Sequence, residues 1–251
     1  MPISDAAAVE AAIQRAVRGF QTMRRLPRFV RADILERTAG IIDAQRAEFV
    51  DLIALEAGKP LHDARGEVSR AVFNLRNAAA EARTFSGTEV PLDVDGSVFE
   101  YQNTTADGGA LDLSKIDIEE LSSLRRRLGI ARRFPIGAIL AITPFNFPLN
   151  LVTHKVGPAL AAGNSVIVKP ASDTPLTALK LGRILLEAGV PPEGIQVLTG
   201  SGSDIGDLLT GDRRIRKISF TGSRDVGERI CRTAGLKKVT MELGSNAPLI
   251  V

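Results

Sequence analysis

The sequence predicts an α/β protein, an open parallel Rossmann-like sheet preceded by a layer of helices, and three observations carry that prediction. First, residues 1–92 show helical hydrophobic spacing with short Gly and Pro breaks. Second, from Ile136 the pattern switches to short apolar runs: AILAI (138–142), SVIVK (165–169), IQVLT (195–199), RKISF (216–220) and KVTME (238–242). These runs lack strict polar alternation, as strands covered on both faces should. Third, helical patterns fill each gap, at 149–162, 175–189, 203–210 and 224–234. Strands joined by helical crossovers give a right-handed, parallel, open sheet, whose ligands gather at the carboxyl ends of the strands.

The helical part divides into four. Asp5 is placed to cap a helix whose apolar positions Ala8, Ile13, Val17 and Phe20 lie near one face. A second helix after Pro27 offers Phe29, Ile34, Leu35, Ile41 and Ile42, and a third carries Phe49, Leu52, Ile53 and Leu55 to a stop at Gly58-Lys59-Pro60. A fourth, over 61–84, presents Val68, Val72, Leu75 and Ala79. Residues 93–131 interrupt this scheme. They begin turn-rich and polar, and continue through SKIDIEELSSLRRRL, where Ile118, Leu121 and Leu124 have helical spacing. We read three parts: a helical part over 1–92, an atypical excursion over 93–131, and an α/β core over 132–251.

Composition narrows the function. The 251 residues include 32 basic and 29 acidic side chains, and these are interspersed, so no broad electropositive face for nucleic acid is expected. The Arg125–Arg127 run reads as a solvated surface. No stretch approaches ~18 consecutive apolar residues, so no membrane span is expected, and the amino terminus lacks the pattern of a signal peptide. One cysteine permits no intrachain disulfide framework and suits a reducing, cytoplasmic setting. The Asn103-Thr104-Thr105 sequon then carries little meaning. No metal-ligand spacing is present.

The strand ends carry the chemistry. The first leads into Thr143-Pro144-Phe145-Asn146-Phe147-Pro148, an amide held between two prolines, able to donate to an oxyanion or simply to make an Asx turn. The second ends in Lys169-Pro170-Ala171-Ser172, where a lysine can reach ribose or phosphate oxygens, or solvent. The fourth leads into Phe220-Thr221-Gly222-Ser223 and a helix containing Gly227. Backbone N–H groups at such a helix start suit a pyrophosphate, although the spacing is not G-x-G-x-x-G. The fifth ends in Glu242-Leu243-Gly244, where a carboxylate in a cleft mouth can serve as a general base if its pKa is raised, or sit in solvent.

In this order PFNFP, VIVKPAS, the Gly-Val-Pro-Pro-Glu-Gly turn with QVLTG, ISFTGS with Gly227, and MELG resemble the aldehyde dehydrogenase superfamily. Glu56-Ala57-Gly58-Lys59-Pro60 is similar to a helix end in that family. The agreement is strong over 132–251 and diffuse over 8–92, with a lean toward succinate-semialdehyde-like members. The resemblance implies NAD(P)-dependent oxidation of a small aldehyde to an acid. Asn146 is then the side-chain donor that stabilises the oxyanion of the thiohemiacetal, and Glu242 the base that activates water for deacylation. Lys169 and Ser172 contact the adenosine ribose, and Gly202 lies beside the adenine. Phe220, Gly222, Ser223 and Val226 line the nicotinamide and diphosphate path, Leu243 and Gly244 adjoin the nicotinamide, and Ile142, Thr143 and Phe145 complete the cofactor-binding set.

The departures shape the reading as much. The family's nucleophilic thiol lies well beyond the glutamate, whereas nine residues follow Glu242 here. The sequence therefore reads as a truncated chain that requires a C-terminal catalytic half or self-associates through its exposed apolar end, Ala247–Val251. Cys231 is expected to be a small, partly buried structural side chain rather than a substitute nucleophile. His154 is expected on a helix face turned toward the sheet, and His62 carries no signal. Residues 93–131 are longer than the family's corresponding span, so the family's oligomer hairpin is not assigned to them. Ser172 stands where NAD-preferring members commonly carry glutamate, which makes NADP use plausible beside NAD. The alternative is a non-catalytic nucleotide-binding or regulatory fragment, and beyond that a scaffold with no ligand.

Overall fold

The computed structural model describes residues 3–91 and 129–244. The Ile118, Leu121 and Leu124 helix, the Arg125–Arg127 run, the sequon and the 247–251 tail lie outside the described residues. The chain divides into two compact units, Met1–Phe85 with Pro135–Val251, and Ser86–Phe134. In the second unit, β1 (Thr88–Val90) pairs antiparallel with β2 (Gly129–Ala131).

The first unit contains the helical layer: α1 (Ala6–Met23), α2 (Arg28–Ala44), α3 (Arg46–Ala57) and α4 (Leu61–Thr84). Asp5 caps α1 as expected, its Oδ1 accepting from the Ala8 N–H at 2.8 Å. Gly58 ends α3 at φ 62°, the left-handed conformation that glycine adopts without steric cost. In α4, Val68, Val72, Leu75 and Ala79 are all buried. The α1 face is shifted from the expected one: Val9, Ala12, Ile13, Ala16, Gly19 and Met23 are buried, while Val17 is exposed. The reason is close approach. A Cβ on Gly19 would sit 1.8 Å from the Glu193 carbonyl oxygen, so small residues mark the contact stripe. Phe29 on α2 and Leu55 on α3 are likewise exposed.

The five expected strands form one parallel sheet: β3 (Ala138–Ile142), β4 (Ser165–Lys169), β5 (Ile195–Val197), β6 (Ile215–Gly222) and β7 (Lys238–Leu243). Crossovers run through α5 (Asn150–Ala161) and α6 (Leu176–Glu187), then a π-turn (Gly202–Gly206) with short α7 (Asp207–Gly211), and finally α8 (Arg224–Ala234). The expected helix over 203–210 is thus split. Gly202 and Gly206 weaken it at both ends of the first turn, and Ser201 Oγ accepts from the Asp204 N–H.

Strand order is β5-β4-β3-β6-β7. The chain winds outward from β3 in one direction, then crosses to its other side, so β3 and β6 flank a topological switch point. Ligands of open α/β sheets bind at the carboxyl ends beside such a point. Each face has its own core. Ile139, Ala141, Val166 and Val168 pack with α2, α4 and α5, whereas Leu140, Ile167, Ile218 and Phe220 pack with α1 and α8. This alternation decides which side each strand-end residue serves.

Candidate active site

Across the carboxyl edge, Lys169, Ile142, Phe220 and Met241 stand in one register row. The loops that follow them surround an open cleft of about 920 Å³. Phe145, Asn146, Gly222, Ser223, Glu242, Leu243 and Gly244 all line it, together with Pro144, Leu151, His154, Lys155, Ser219, Thr221 and Thr240. Asn146 and Glu242, the two expected catalytic residues, therefore open onto the same space. Both are exposed. A separate apolar cavity of about 420 Å³ lies between α4 and α5, lined by Ala78, Phe85, Pro158 and their neighbours. It lacks the strand-end groups and the switch-point position, so the larger cleft is the candidate site.

The remaining expected residues fall elsewhere around the edge. Ile142 packs with Phe220 on the α8 side of the sheet, while Ser219, Thr221, Thr240 and Glu242 alternate onto the α5 side. Phe220 is buried under the turn: a Cβ on Gly222 would approach its ring to 2.5 Å, and one on Gly227 would come 2.6 Å from Leu243. Gly222 in the turn and Gly227 on α8 thus let the turn and helix close against Phe220 and Leu243. Val226 on α8 is half-exposed. Thr143 is buried; its N–H donates to the Lys169 carbonyl at 3.2 Å, and its Oγ1 has no hydrogen-bond partner. Lys169 is also buried, which pushes its pKa down, and its Nζ donates to the Pro170 carbonyl. The Ser172 hydroxyl donates to the Gly200 carbonyl at 3.1 Å, and Gly202 opens the π-turn nearby.

Two expectations are corrected. His154 is exposed at the cleft rim rather than turned to the sheet, because α5 is apolar around much of its surface and its phase is not legible from hydrophobicity alone. Partial burial of the ring and the neighbouring Lys155 charge hold its pKa below the ordinary value. Cys231 is exposed on α8, whose sheet-facing positions are instead Gly227, Ile230 and Ala234.

Lys155 was not singled out in the sequence. It is buried on the sheet side of α5, where its Nζ donates to Thr221 Oγ1 at 2.8 Å and Ser219 Oγ at 3.2 Å. Thr221 pairs in register with Glu242. Burial lowers the Lys155 pKa to about 8, the Glu242 carboxylate pulling it back up and Lys217 pushing it further down. A cation one helical turn inside an apolar pattern was the available signal. Because the folded pKa lies below the unfolded one, burial destabilises the fold fully below about pH 8, and the penalty fades as pH rises toward 10.5. Relative to Lys155→Met, the native protein should therefore gain stability between pH 7 and pH 10. Paired urea titrations at the two values check this, and a constant difference between the proteins would show that the ammonium is not desolvated.

The helical layer reaches into both strand-end loops. Glu67 is fully buried and accepts from the Leu149 and Asn150 N–H groups, at 2.9 and 3.1 Å, at the start of α5. Glu56 accepts from the Leu176 and Thr177 N–H groups at the start of α6, and from the Thr177 hydroxyl. Carboxylates at helix amino termini satisfy orphan donors and complement the dipole. The helical layer is thus tied through Glu67 to the end of the loop that carries Asn146, and through Glu56 to the start of α6 beyond Lys169.

The groups available along this edge are backbone N–H donors, an exposed carboxamide and an exposed carboxylate. The start of α8 has no side-chain cap from Ser223, which leaves first-turn N–H groups for an anion, although Asp225 in that turn opposes one. The unpartnered Thr143 hydroxyl lies on the same strand edge. No group of three or more metal-ligating side chains occurs among the described residues, and no helix there is long and apolar enough to cross a membrane.

Comparison with known proteins agrees with this fold. The chain is 44% identical over 233 residues to aspartate-semialdehyde dehydrogenase 1 of Pseudomonas canavaninivorans, covering 93% of this chain and 44% of that protein. It is 36% identical to the NADP(+) succinate-semialdehyde dehydrogenase of Escherichia coli, covering 100% of this chain and 46% of that protein. The crystal structure of glyceraldehyde-3-phosphate dehydrogenase from Methanocaldococcus jannaschii complexed with NADP superposes with a TM-score of 0.82 at 33% identity, over 98% of this chain and 48% of that one. The chain thus spans about half the length of these relatives. The aldehyde dehydrogenase family model matches residues 1–251, and with the switch-point cleft and its Asn146 and Glu242 pair in place, the chain belongs to the aldehyde dehydrogenase family.

Proposed function

We propose that this chain supplies the nicotinamide dinucleotide site, the oxyanion donor and the general base of an aldehyde-oxidising enzyme. The observation that carries the reading is that Asn146, in the loop after β3, and Glu242, at the end of β7, nearly a hundred residues apart, line one cleft beside the β3–β6 switch point. The cofactor supplies the electron acceptor. Thr143, Lys169, Ser172 and Gly202 would hold its adenosine end, and the Gly222–Val226 segment its phosphates. The Asn146 carboxamide donates to the charge that develops on the substrate oxygen. Glu242 takes a proton from the water that releases the acid, and the Lys155 ammonium lies across Thr221 within electrostatic reach of that carboxylate.

The nucleophilic thiol comes from outside these 251 residues, since the single cysteine, Cys231, is exposed on α8 and does not line the cleft. A C-terminal catalytic half is the partner this requires, and a small aldehyde is the substrate class, since the relatives are named as sulfolactaldehyde, semialdehyde and lactaldehyde dehydrogenases. NADP should bind at least as well as NAD, because Ser172 places no carboxylate near the ribose 2′ position. Calorimetric titration tests the reading: NADP binding to the native chain, and a preference moved toward NAD by Ser172→Glu by roughly tenfold, about 1.4 kcal/mol. Absence of binding by either dinucleotide to the folded chain would overturn it.

A further inference from the structure

We propose that Lys59 is a positioning residue for Asn146, locked in place by Glu67. The inference rests on the assignment of Asn146 as oxyanion donor, and it extends that site to a residue on a different layer of the fold. Lys59 Nζ donates to the Asn146 backbone carbonyl at 2.5 Å and to Glu67 Oε2 at 2.5 Å, and it sits 3.8 Å from the centroid of the Phe147 ring. One ammonium thus contacts the carbonyl of the functional residue, the ring of the next one, and a buried carboxylate.

The other oxygen of that carboxylate holds the Leu149 and Asn150 N–H groups. Glu67 therefore fixes the start of α5 with one oxygen and aims Lys59 at the Asn146 peptide with the other. The side chains of Lys59 and Glu67 are 12% and 0% exposed, so water competes little for either group. The Asn146 side chain is exposed, and among the described residues no neighbouring group holds its carboxamide. Its direction is set by the backbone to which it is attached, and Lys59 is the group that grips that backbone from the helical layer. Proximity effects make this grip consequential, because a displacement of about 1 Å can cost roughly 10²-fold in rate.

The test uses the full chain and does not depend on turnover. Backbone ¹⁵N relaxation is measured for the native protein, Lys59→Met, Lys59→Arg and Glu67→Gln. The native order parameters at Asn146 and Phe147 should be near 0.85, and Lys59→Met should bring them below about 0.6. Asn164 serves as the internal control, because it is buried and bonded to Ile136, Gly137 and Ala159. Its order should not change. Glu67→Gln keeps an acceptor for Leu149 and Asn150 but removes the charge that holds Lys59, so it should loosen Asn146 while the two amides stay protected from exchange. It also decides the matter if Lys59→Met does not fold. Lys59→Arg should restore much of the order.

A second arm measures aldehyde turnover with the thiol-bearing half supplied, where Lys59→Met should lower kcat by roughly tenfold or more with dinucleotide affinity unchanged. Asn146 remaining as ordered in the folded variants as in the native chain overturns the proposal. Unchanged kcat in Asn146→Ala instead overturns the assignment of the oxyanion donor, and the relaxation result stands apart from it.

Discussion

Asn146→Ala should lower kcat for aldehyde oxidation by about 10²–10³-fold, with dinucleotide affinity unchanged, when a thiol-bearing catalytic half is supplied. The carboxamide is exposed in the cleft, in a turn bounded by Pro144 and Pro148. Its donor acts on charge that grows as the nucleophile adds, so its loss falls on the reaction step rather than on binding. Asn146→Asp should be worse, because a carboxylate at that position repels the developing oxyanion. Steady-state kinetics with separate variation of aldehyde and dinucleotide distinguish the outcomes. A rise in the aldehyde KM at constant kcat would make Asn146 a binding residue only.

The second large effect concerns stability. Glu67→Ala should cost about 3–5 kcal/mol, the range for removing one partner of a buried ion pair. The change strands the Lys59 ammonium against the Asn146 carbonyl and removes the acceptor of two N–H groups at the start of α5. Urea unfolding at pH 7 measures it. A loss below about 1 kcal/mol would mean that Lys59 escapes to solvent when its partner goes, and that the pair does not hold the two layers together. Glu67→Gln should cost less, because the amide oxygen still accepts from Leu149 and Asn150.

What was legible in the sequence follows from which interactions are local. Strand cores such as AILAI and SVIVK match the structure at both ends, because two-sided burial leaves a continuous apolar run bounded by turns. The Gly58 stop and the Asp5 cap were equally plain, since each acts within a few residues. Phase was less legible where small residues or all-round apolarity blur the pattern. The larger Val17 and Phe20 mask the α1 stripe of Ala12, Ala16 and Gly19, and the all-round apolarity of α5 conceals that His154 is exposed. Long-range side-chain contacts left no local trace. The Glu56–Leu176 and Lys59–Asn146 hydrogen bonds span 120 and 87 residues, so Glu56-Ala57-Gly58-Lys59-Pro60 could be recognised as a resemblance and a helix end but not as the anchor of two strand-end loops.

The candidate site shows the same division. Asn146, Gly222, Ser223 and Glu242 came together because a parallel sheet delivers all its strand ends to one edge, which the order of strand and helix patterns already implied. The face each residue serves depends on strand register, and one position reverses it. Phe220 is therefore buried beneath the turn while Thr221 meets Lys155 in the cleft, a distinction of one residue that the motif alone does not carry.

The most direct test of the account is an amide chemical-shift map of the ¹⁵N-labelled chain titrated with NADP. Saturable shifts are expected at Ile142, Thr143, Lys169, Ser172 and the Gly222–Val226 segment, with a smaller set at Asn146 and Glu242, reproduced by NAD at comparable or weaker affinity. Shifts centred instead on the α4–α5 cavity around Ala78 and Pro158, or none with either dinucleotide at saturating concentration, would contradict it.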